Sequence, residues 1–492
     1  MSQTPGSGAG TIWAVFGALV LLKAVLLIVF GPIMTPDSPG YSGAAQTILV
    51  TSSWLHDAGM KASVMPPFAF RIIGYPLFLA GVMTMAGSAW AVAAVCIQSA
   101  FSLFVSWKAL RLGEELGLSR GWSLAAVFLY ATSLQLLLDQ CILTDSLNAS
   151  CVILATVLLV RGTRAGLPLS LPAAFGAGLM LAIAFLMREI MQAMIFLFVI
   201  FLIVRLVCAQ KGLRTRTFAA VLIVLAVPFA TMEGYRQWNV HRTGERFITT
   251  GGQTAMLQAL ARVAERHPGI LTEDTPLDRT LKSQLKYYTF AEILKTDAEL
   301  FKQGYTSLDI SRMATARYIE AWREHPLQML VLFRIISEAQ VKIAARTVSS
   351  ICEVAEWSGG GPQCDDYRDL YRAALKTPMQ MSAGQVTMFL ATSLQNLLSI
   401  IIFGAFLLGT PVAVIAAGFR KIPPLALPQR ALIAAFWLVY IGWCCGYFLI
   451  HFETRYVAPV VPLSVFGGLF IIQRTRAMRL QGASNGAGNG AA

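Results

Sequence analysis

Three carboxylates stand at the ends of apolar segments, where they could take part in proton transfer. Asp37 follows the first apolar run by a few residues, and Asp139 and Asp145 lie in a short polar turn after a later run. A carboxylate beside an acceptor hydroxyl can act as a general base. Each of Asp37 and Asp145 also has a purely structural interpretation, because either residue could cap the helix that follows it.

Cationic side chains stand at three further junctions of this kind. Arg71 precedes an apolar run, Arg188 and Glu189 interrupt a long one, and Glu453 and Arg455 open the last one. A guanidinium at a helix N-terminus can hold a phosphate. The alternatives are an interfacial anchor for Arg71, a simple hairpin at Arg188 and a weak surface pair at Arg455. Acids and arginines at several junctions on one membrane level together predict a site at the lipid-water boundary, with the two residue types that a lipid-phosphate donor would require.

Long apolar segments must position these junctions. The chain has 492 residues, of which 56% are hydrophobic and 13% charged, too few charges to cover a soluble globule of this size. About 20 apolar helical residues cross a hydrocarbon core. Apolar runs near that length lie at 12–31, 76–104, 121–138, 147–161, 171–187, 189–207, 217–232, 387–417, 431–450 and 456–473. The sequence therefore predicts an all-α polytopic membrane protein with about ten transmembrane helices.

Basic residues mark alternate connections between these runs, as they do in cytoplasmic loops of membrane proteins. They include Lys108, Arg111, Arg120, Arg161, Arg164, Arg205, Lys211, Arg214, Arg216, Arg420, Lys421, Arg430, Arg474, Arg476 and Arg479. Both termini are then cytoplasmic, and the candidate acids and arginines face the other side. We therefore predict a multi-pass membrane protein whose site faces the outer (periplasmic or lumenal) side. The location that we expect is the bacterial inner (plasma) membrane, with the site periplasmic. The net charge of +13 is a topology signal, and no nucleic-acid partner is expected.

The longest polar block is residues 233–386, and its apolar spacing predicts helices at 257–265, 280–295, 311–322 and 326–345. Cys352 and Cys364 flank a Gly-rich stretch within it. This pair either forms a disulfide, if the compartment is oxidising, or remains as two free thiols. A helix at 40–54 is expected to lie in the membrane interface.

We divide the chain into four parts. Residues 1–232, with the external loop 32–75, form an N-terminal transmembrane catalytic module, and 233–386 form an external helical insert. Residues 387–480 hold the C-terminal transmembrane helices, and 481–492 form a disordered tail because nothing in its Gly-rich composition can be buried.

Four short motifs, taken in their order along the chain, resemble the C-type membrane glycosyltransferases. This superfamily includes protein O-mannosyltransferases and lipid A aminoarabinose or galacturonic acid transferases. The motifs are Asp37 with Tyr41, Arg71-Ile-Ile-Gly-Tyr75-Pro76, Leu143-Thr-Asp145-Ser-Leu147 and Glu453-Thr-Arg455-Tyr456. The resemblance covers residues 12–232 and 387–473 more clearly than the insert.

The resemblance implies that Asp37 is the catalytic base and that Asp145 assists it or binds a metal. It implies a polyprenyl-phosphate sugar as donor, an envelope lipid, glycan or protein as acceptor, and inversion at the anomeric carbon. Binding of the donor phosphate or substrate would fall to Arg71, Tyr75, Arg188, Glu189, Glu453, Arg455, Tyr41 and Asp139. Many relatives have Glu at the position of Asp145, and some branches have an Asp-Glu pair where this chain has Asp37-Ser38. These departures leave the acceptor and a divalent cation cofactor open.

Two other classes of function remain as alternatives. A transporter or flippase of a lipid-linked sugar should place charges midway along its helices, whereas the charges here concentrate at helix ends. A non-enzymatic partner in envelope assembly would tolerate loss of Asp37. Charge placement favours chemistry at one membrane face.

Overall fold

The computed structural model describes residues 7–51, 68–272, 274–284, 290–333, 347–359, 367–418, 425–450 and 453–488. Within these ranges the chain is helical and contains no strand longer than a single bridge. The all-α fold class predicted from the sequence is confirmed. His451, in the connection before the last run, and Cys364 lie outside the described residues.

The helices, numbered in chain order, are α1 (Ser7–Phe30), α2 (Ser38–Val50), α3 (Gly74–Ala86), α4 (Trp90–Leu116), α5 (Arg120–Ala131), α6 (Leu134–Gln140), α7 (Asp145–Val160), α8 (Leu171–Met187), α9 (Met191–Cys208), α10 (Arg214–Thr243), α11 (Gly252–Arg266), α12 (Pro276–Gln284), α13 (Phe290–Lys302), α14 (Ser307–Glu324), α15 (Pro326–Met329), α16 (Thr347–Trp357), α17 (Tyr367–Lys376), α18 (Ala383–Gly404), α19 (Thr410–Gly418), α20 (Leu427–Phe448) and α21 (Val461–Gly488). A π-helical turn, Ala405–Gly409, joins α18 to α19. Short 3₁₀ turns include Gly87–Ala89 and Thr454–Val460.

Several helical stretches can cross a membrane by length and composition. Within the described ranges there are 7 of them, or up to 8 if the bent pair α5 and α6 forms one span. The 7 are Gly10–Phe30, Gly74–Leu116, Met191–Cys208, Lys211–Thr243, Ala383–Ala416, Leu427–Phe448 and Thr454–Gln481. The two shorter apolar helices, α7 and α8, match the remaining predicted runs. Each predicted run is therefore helical, either as one apolar helix or as consecutive helices, and the protein is a multi-pass membrane protein.

One predicted span has different bounds. The run 76–104 is interrupted at Gly87–Ala89, where the chain turns back. Tyr75 in α3 donates a hydrogen bond of 2.8 Å to Gln98 in α4, whereas 23 residues of one straight helix would separate them by about 35 Å. With its 13 residues, α3 reaches only about 20 Å and is too short to span. The spanning helix is α4.

The predicted basic connections collect at one end of the helix bundle. Glu115, after the basic end of α4, accepts hydrogen bonds from the backbone of Gly162 and Arg164 in the connection from α7 to α8. Gln473 of α21 accepts from the backbone of Ser119, and Gln429 of α20 donates to the Leu116 carbonyl. The candidate site residues lie at the other ends of these helices.

The insert is a helical body with its own core. Buried apolar residues of α11 to α15, among them Leu260, Leu300 and Ile310, pack together there. The predicted helices 257–265 and 311–322 correspond to α11 and α14, and the prediction at 280–295 covers parts of α12 and α13. The predicted helix 326–345 is interrupted by a turn at Leu330, because α15 ends at Met329 and the chain is helical again at 331–333; its later part lies outside the described residues.

Two expected boundaries shift. Helix α10 continues without a break to Thr243, and α21 continues to Gly488, beyond the expected start of a disordered tail at Gln481. Extending an existing helix fixes one residue for each hydrogen bond gained, so an established helix tends to run on into a polar segment. The insert therefore begins about ten residues later than the composition suggested.

Candidate active site

A short backbone pairing joins the two acidic turns. The N–H of Ile33 donates to the Gln140 carbonyl at 2.9 Å, and the N–H of Ile142 donates to the Ile33 carbonyl at 3.0 Å. The Ser38 hydroxyl adds a bond of 2.9 Å to the Ile142 carbonyl. These bonds hold the start of α2, which carries Asp37, beside the turn that starts α7 with Asp145.

Asp37 lies between two guanidinium groups. Its Oδ1 accepts from Arg71 Nη2 at 2.7 Å, and its Oδ2 accepts from Arg455 Nη2 at 2.9 Å. A third contact of 3.3 Å runs from Arg71 Nη1 to the backbone carbonyl of Asp37. Asp37 is the N-cap residue of α2 but makes no side-chain cap bond, so the capping interpretation of its carboxylate is wrong.

Asp145 pairs with a different arginine. Its carboxylate contacts Arg188, whose guanidinium carbon lies 4.3 Å from the ring centroid of Tyr456. The N-cap of α7 is Thr144, so Asp145 is not the cap residue. The first turn of α7 and the junction between α8 and α9 therefore meet at one point.

The last junction enters the site through a 3₁₀ turn. Arg455 forms an ion pair of 2.6 Å with Glu453 as well as its bond to Asp37. Trp443 of α20 donates 2.8 Å to the Tyr456 carbonyl, and the rings of Tyr447 and Tyr456 stack at 4.6 Å. These aromatic contacts fix the turn, so Arg455 projects toward Asp37.

Two predicted aromatic residues pack in the first loop. The Arg71 guanidinium carbon lies 4.4 Å from the Tyr41 ring centroid, and Tyr41 contacts Tyr75 edge to face at 5.2 Å. Tyr75 is fully buried, with its hydroxyl bonded to Gln98. Tyr41 therefore supports Arg71 within the site, whereas Tyr75 lies one layer behind it.

Asp139 lies away from this group. It is 0% exposed, and its carboxylate pairs with Lys23 of α1, which is 4% exposed. The amide of Gln135 donates 2.7 Å to Asp139 Oδ1, and the Ser146 hydroxyl donates to the same oxygen. The sequence prediction grouped Asp139 with the substrate-binding residues. The structure instead places Asp139 in a buried ion pair with Lys23, which was not among the predicted residues.

Two cavities meet at Asp37. A smaller one of about 190 Å³ is lined by Asp37, Tyr41, Phe70, Arg71, Ile72, Met187, Arg188, Glu189, Gly251, Thr254, Ala255, Gln258, Glu453, Arg455 and Tyr456. A larger one of about 820 Å³ is lined by Ile33, Met34, Thr35, Pro36, Asp37, Leu134, Leu137, Leu138, Ser350, Glu353, Glu356, Trp357, Glu453, Thr454 and Arg455. Among the residues that the structure describes, Asp37, Glu453 and Arg455 are common to both linings. Neither lining contains Asp139, Asp145 or Tyr75.

The two cavities differ in chemistry. Three arginines converge on the smaller one together with the first turn of α11. The larger one has aliphatic walls from α6 and an acidic rim from α16, where Glu353 and Glu356 sit beside Trp357. The smaller cavity suits an anion, and the larger one suits an amphiphilic molecule without negative charge.

The carboxylates of the smaller cavity have opposite pKa shifts. Burial alone would raise the pKa of Asp37, but Arg71 and Arg455 outweigh it and hold the pKa below its usual value. Burial raises the pKa of Glu189, which Arg188 and Arg71 offset only in part. Asp37 is therefore ionised at neutral pH.

A divalent cation was an open possibility for Asp145. Within the described ranges, no group of three or more His, Cys, Asp or Glu side chains converges in a way that could hold a metal ion. Both Asp37 and Asp145 have an arginine as their ionic partner. The residues present at the site therefore fit guanidinium chemistry better than metal coordination.

Residues of the insert line both cavities, and covalent and non-covalent bonds fix parts of it. Cys352, on the helix that lines the larger cavity, is disulfide-bonded. The predicted partner, Cys364, lies outside the described residues. Thr250 donates its N–H to the Ala69 carbonyl at 2.7 Å, which anchors the start of α11 to the loop that carries Arg71.

Comparison with known proteins gives structural likeness only. No family model and no curated protein matches the chain. The chain is similar to the apo crystal structure of the Archaeoglobus fulgidus oligosaccharyltransferase (12% identity, TM-score 0.47, covering 98% of this chain and 53% of that one). It is also similar to the same enzyme tethered to an acceptor peptide (10%, 0.45, 94% and 49%). A third likeness is to archaeal oligosaccharyltransferase AglB from that organism, in complex with an inhibitory peptide and a dolichol-phosphate (12%, 0.44, 97% and 52%).

The chain spans about half the length of these structures. Their TM-scores lie below 0.5 and their identities are 10% and 12%, so the likeness carries no functional argument. The functional argument depends on the site itself.

Proposed function

We propose that this protein is a membrane glycosyltransferase that moves a sugar from a polyprenyl-phosphate donor to an envelope lipid, glycan or protein on the periplasmic face. The observation that carries this proposal is the position of Asp37 on the wall between a cavity rich in arginine and a larger apolar cavity. A base at that wall can reach a hydroxyl in one cavity and a leaving phosphate in the other. No metal is needed to bind the donor, because guanidinium groups supply the positive charge.

The charges assign the two substrates to the two cavities. A donor phosphate is favoured beside Arg71, Arg188 and Arg455 and disfavoured beside the acidic rim of Glu353 and Glu356. We therefore assign the phosphate and sugar of the donor to the smaller cavity. The acceptor enters the larger cavity, whose aliphatic walls suit a molecule drawn from the membrane.

The reaction then proceeds in one displacement. The acceptor oxygen bonds to the anomeric carbon as the bond from that carbon to the phosphate oxygen breaks, which inverts the anomeric centre. The electron pair leaves with polyprenyl phosphate, and the acceptor proton passes to Asp37. Arg71 and Arg455 stabilise the charge that develops on the phosphate oxygen, because their guanidinium groups are already in place.

Donor binding would also activate the base. In the structure both oxygens of Asp37 are occupied by arginines, which lowers the basicity of the carboxylate. A phosphate competes for the same two guanidinium groups and frees Asp37 for the acceptor proton. The base is then strongest when donor is present.

The test is the variant Asp37→Asn, with Asp274→Asn at an exposed position of the insert as the matched control. Each purified protein is assayed for sugar transfer from a panel of polyprenyl-phosphate sugars to an envelope extract, and folding is checked by thermal unfolding. We expect Asp37→Asn to fold and to lose about a hundredfold or more of kcat, the usual range for removing a general base. The control should retain activity.

Equal transfer by parent and Asp37→Asn would remove Asp37 as the base. No transfer by the parent with any donor would favour the alternative class, a transporter or flippase of a lipid-linked sugar. One observation gives that alternative some support, since Lys23 and Asp139 form an ion pair inside the helix bundle. However, both side chains are buried, so the pair does not line an open path.

A further inference from the structure

The arginines of the smaller cavity already have ionic partners. Arg71 pairs with Asp37, Arg455 with Asp37 and Glu453, and Arg188 with Asp145. A phosphate that relied on the arginines alone would have to displace a carboxylate from each one it used. Another donor in the same cavity that is not yet paired would lower that cost.

The first turn of α11 supplies such donors. Gly251, the N-cap residue, and Thr254 and Gln258 in the helix all line the smaller cavity. Gly251 has no side chain with which to cap the first N–H groups of the helix, and a 15-residue helix carries partial positive charge at its N-terminus. Helix starts of this kind bind phosphate.

Thr254 gives a second and independent observation. It is 6% exposed, and its hydroxyl is buried without a hydrogen-bond partner in the described part of the chain. Many threonines in these helices bond the carbonyl four residues earlier, as Thr156 and Thr231 do, but Thr254 does not. A buried hydroxyl without a partner is costly, so an unpaired one in a cavity wall indicates a ligand atom beside it.

The position of this turn is fixed by the loop that carries Arg71. The N–H of Thr250 bonds the Ala69 carbonyl, and a Cβ on Gly251 would lie only 2.4 Å from the Phe70 carbonyl oxygen. Glycine is required for this close approach. The turn is therefore held next to Arg71 before any ligand arrives.

We propose that the N-terminal turn of α11, with the Thr254 hydroxyl as a direct donor, is the subsite that receives the phosphate group in the smaller cavity. This inference rests on the proposed function for the source of the phosphate, a lipid-linked donor. It assigns the insert a direct part in donor binding, whereas the sequence analysis predicted this part only for residues at the transmembrane junctions. Arg71 and Arg188 line the same cavity as this turn.

The decisive variant is Thr254→Val, which keeps the shape of the side chain and removes the hydroxyl. Thr254→Ser keeps the hydroxyl, and Thr410→Val makes the same change at another buried threonine without a hydrogen-bond partner, in the α18 to α19 region. Binding of decaprenyl phosphate and of inorganic phosphate is measured directly on the full chain, without turnover. Transfer kinetics are measured in parallel.

We expect Thr254→Val to weaken decaprenyl phosphate binding by about 10-fold to 100-fold, the range for a hydrogen bond to a charged group. The KM for the donor should rise in the same proportion, with the KM for the acceptor unchanged. Thr254→Ser and Thr410→Val should stay within about threefold of the parent. Binding of both inorganic phosphate and decaprenyl phosphate would show that the phosphate group alone is sufficient for binding at this subsite. Binding of decaprenyl phosphate only would show that the polyprenyl tail is also required.

The inference would be overturned if Thr254→Val bound phosphate as tightly as the parent protein does. It would also be overturned if the parent protein bound neither decaprenyl phosphate nor inorganic phosphate. Failure of the proposed function gives a different pattern. In that case the parent binds decaprenyl phosphate in a way that depends on Thr254 but transfers no sugar from any donor.

Discussion

The buried pair of Lys23 and Asp139 gives the sharpest test of how the site is supported. Asp139 accepts hydrogen bonds from Lys23, Gln135 and Ser146, and Ser146 is the neighbour of Asp145. The Gln140 carbonyl, next to Asp139, accepts the backbone bond of Ile33. The pair therefore holds both acidic turns of the site, although it lines neither cavity.

The expected magnitudes follow from burial. Lys23→Met leaves a carboxylate with no counter-charge, and Asp139→Asn leaves an ammonium with none. Removing one partner of a buried ion pair typically costs about 3–5 kcal/mol of stability. The double variant removes both charges, and Asn keeps an oxygen to accept from Gln135 and Ser146. We expect it to recover most of the stability that either single variant loses.

The assay is a double-mutant cycle on the free energy of unfolding in mixed micelles, with transfer activity measured on the same samples. Activity should fall and recover together with stability. A pair of the same charges on the surface, Lys302 with Glu299, is 3.1 Å apart and largely exposed. Lys302→Met should cost no more than about 1 kcal/mol and is the control.

The result that would refute this reasoning is specific. If Asp139 binds substrate, as the sequence suggested, Asp139→Asn would abolish donor binding without loss of stability. Adding Lys23→Met would then fail to restore activity. Additive losses in the double variant would show that the two charges do not depend on each other.

Two further predictions concern the insert. Burial raises the pKa of Asp297 to about 6 from 3.8, so the folded protein holds a proton that the unfolded chain releases between these values. Stability falls as pH rises through that window. Asp297→Asn should therefore raise the free energy of unfolding more at pH 8 than at pH 4, by up to about 3 kcal/mol for a pKa difference of roughly two. Equal gains at the two pH values would contradict this. Gly251→Ala should lower transfer because its Cβ would meet the Phe70 carbonyl at 2.4 Å, whereas Gly252→Ala, with nothing within 4 Å, should not; equal activity in the two variants would count against the close approach.

The sequence was sufficient for the helices and for the level of the site along them. Apolar runs near 20 residues predict helices because lipid cannot satisfy free backbone groups, and each predicted run is helical, although the run 76–104 forms two helices. The alternation of basic connections gave the two ends of the bundle. The structure brings Asp37, Arg71, Arg188, Glu189, Glu453 and Arg455 to one cavity.

The sequence failed where a residue's partner lies far away along the chain. Asp139 and Asp145 are six residues apart in one turn, yet one pairs with Lys23 in α1 and the other with Arg188. The single lysine within the apolar run of α1 was the available signal, because an ionisable group inside a membrane segment requires a partner. The spacing of residues along the sequence does not predict whether Lys23 pairs with Asp139 or with Asp145.

Local chemistry thus determined which segments are helices, which ends carry charge, and which residue types are available to bind phosphate and accept a proton. Only the tertiary structure decided that Asp37 takes two arginines instead of capping α2, that α3 folds back on α4, and that α11 of the insert reaches the smaller cavity. The physical reason is range. Helix formation and membrane insertion depend on neighbouring residues, whereas an ion pair or a cavity wall depends on side chains that packing brings together from distant parts of the chain.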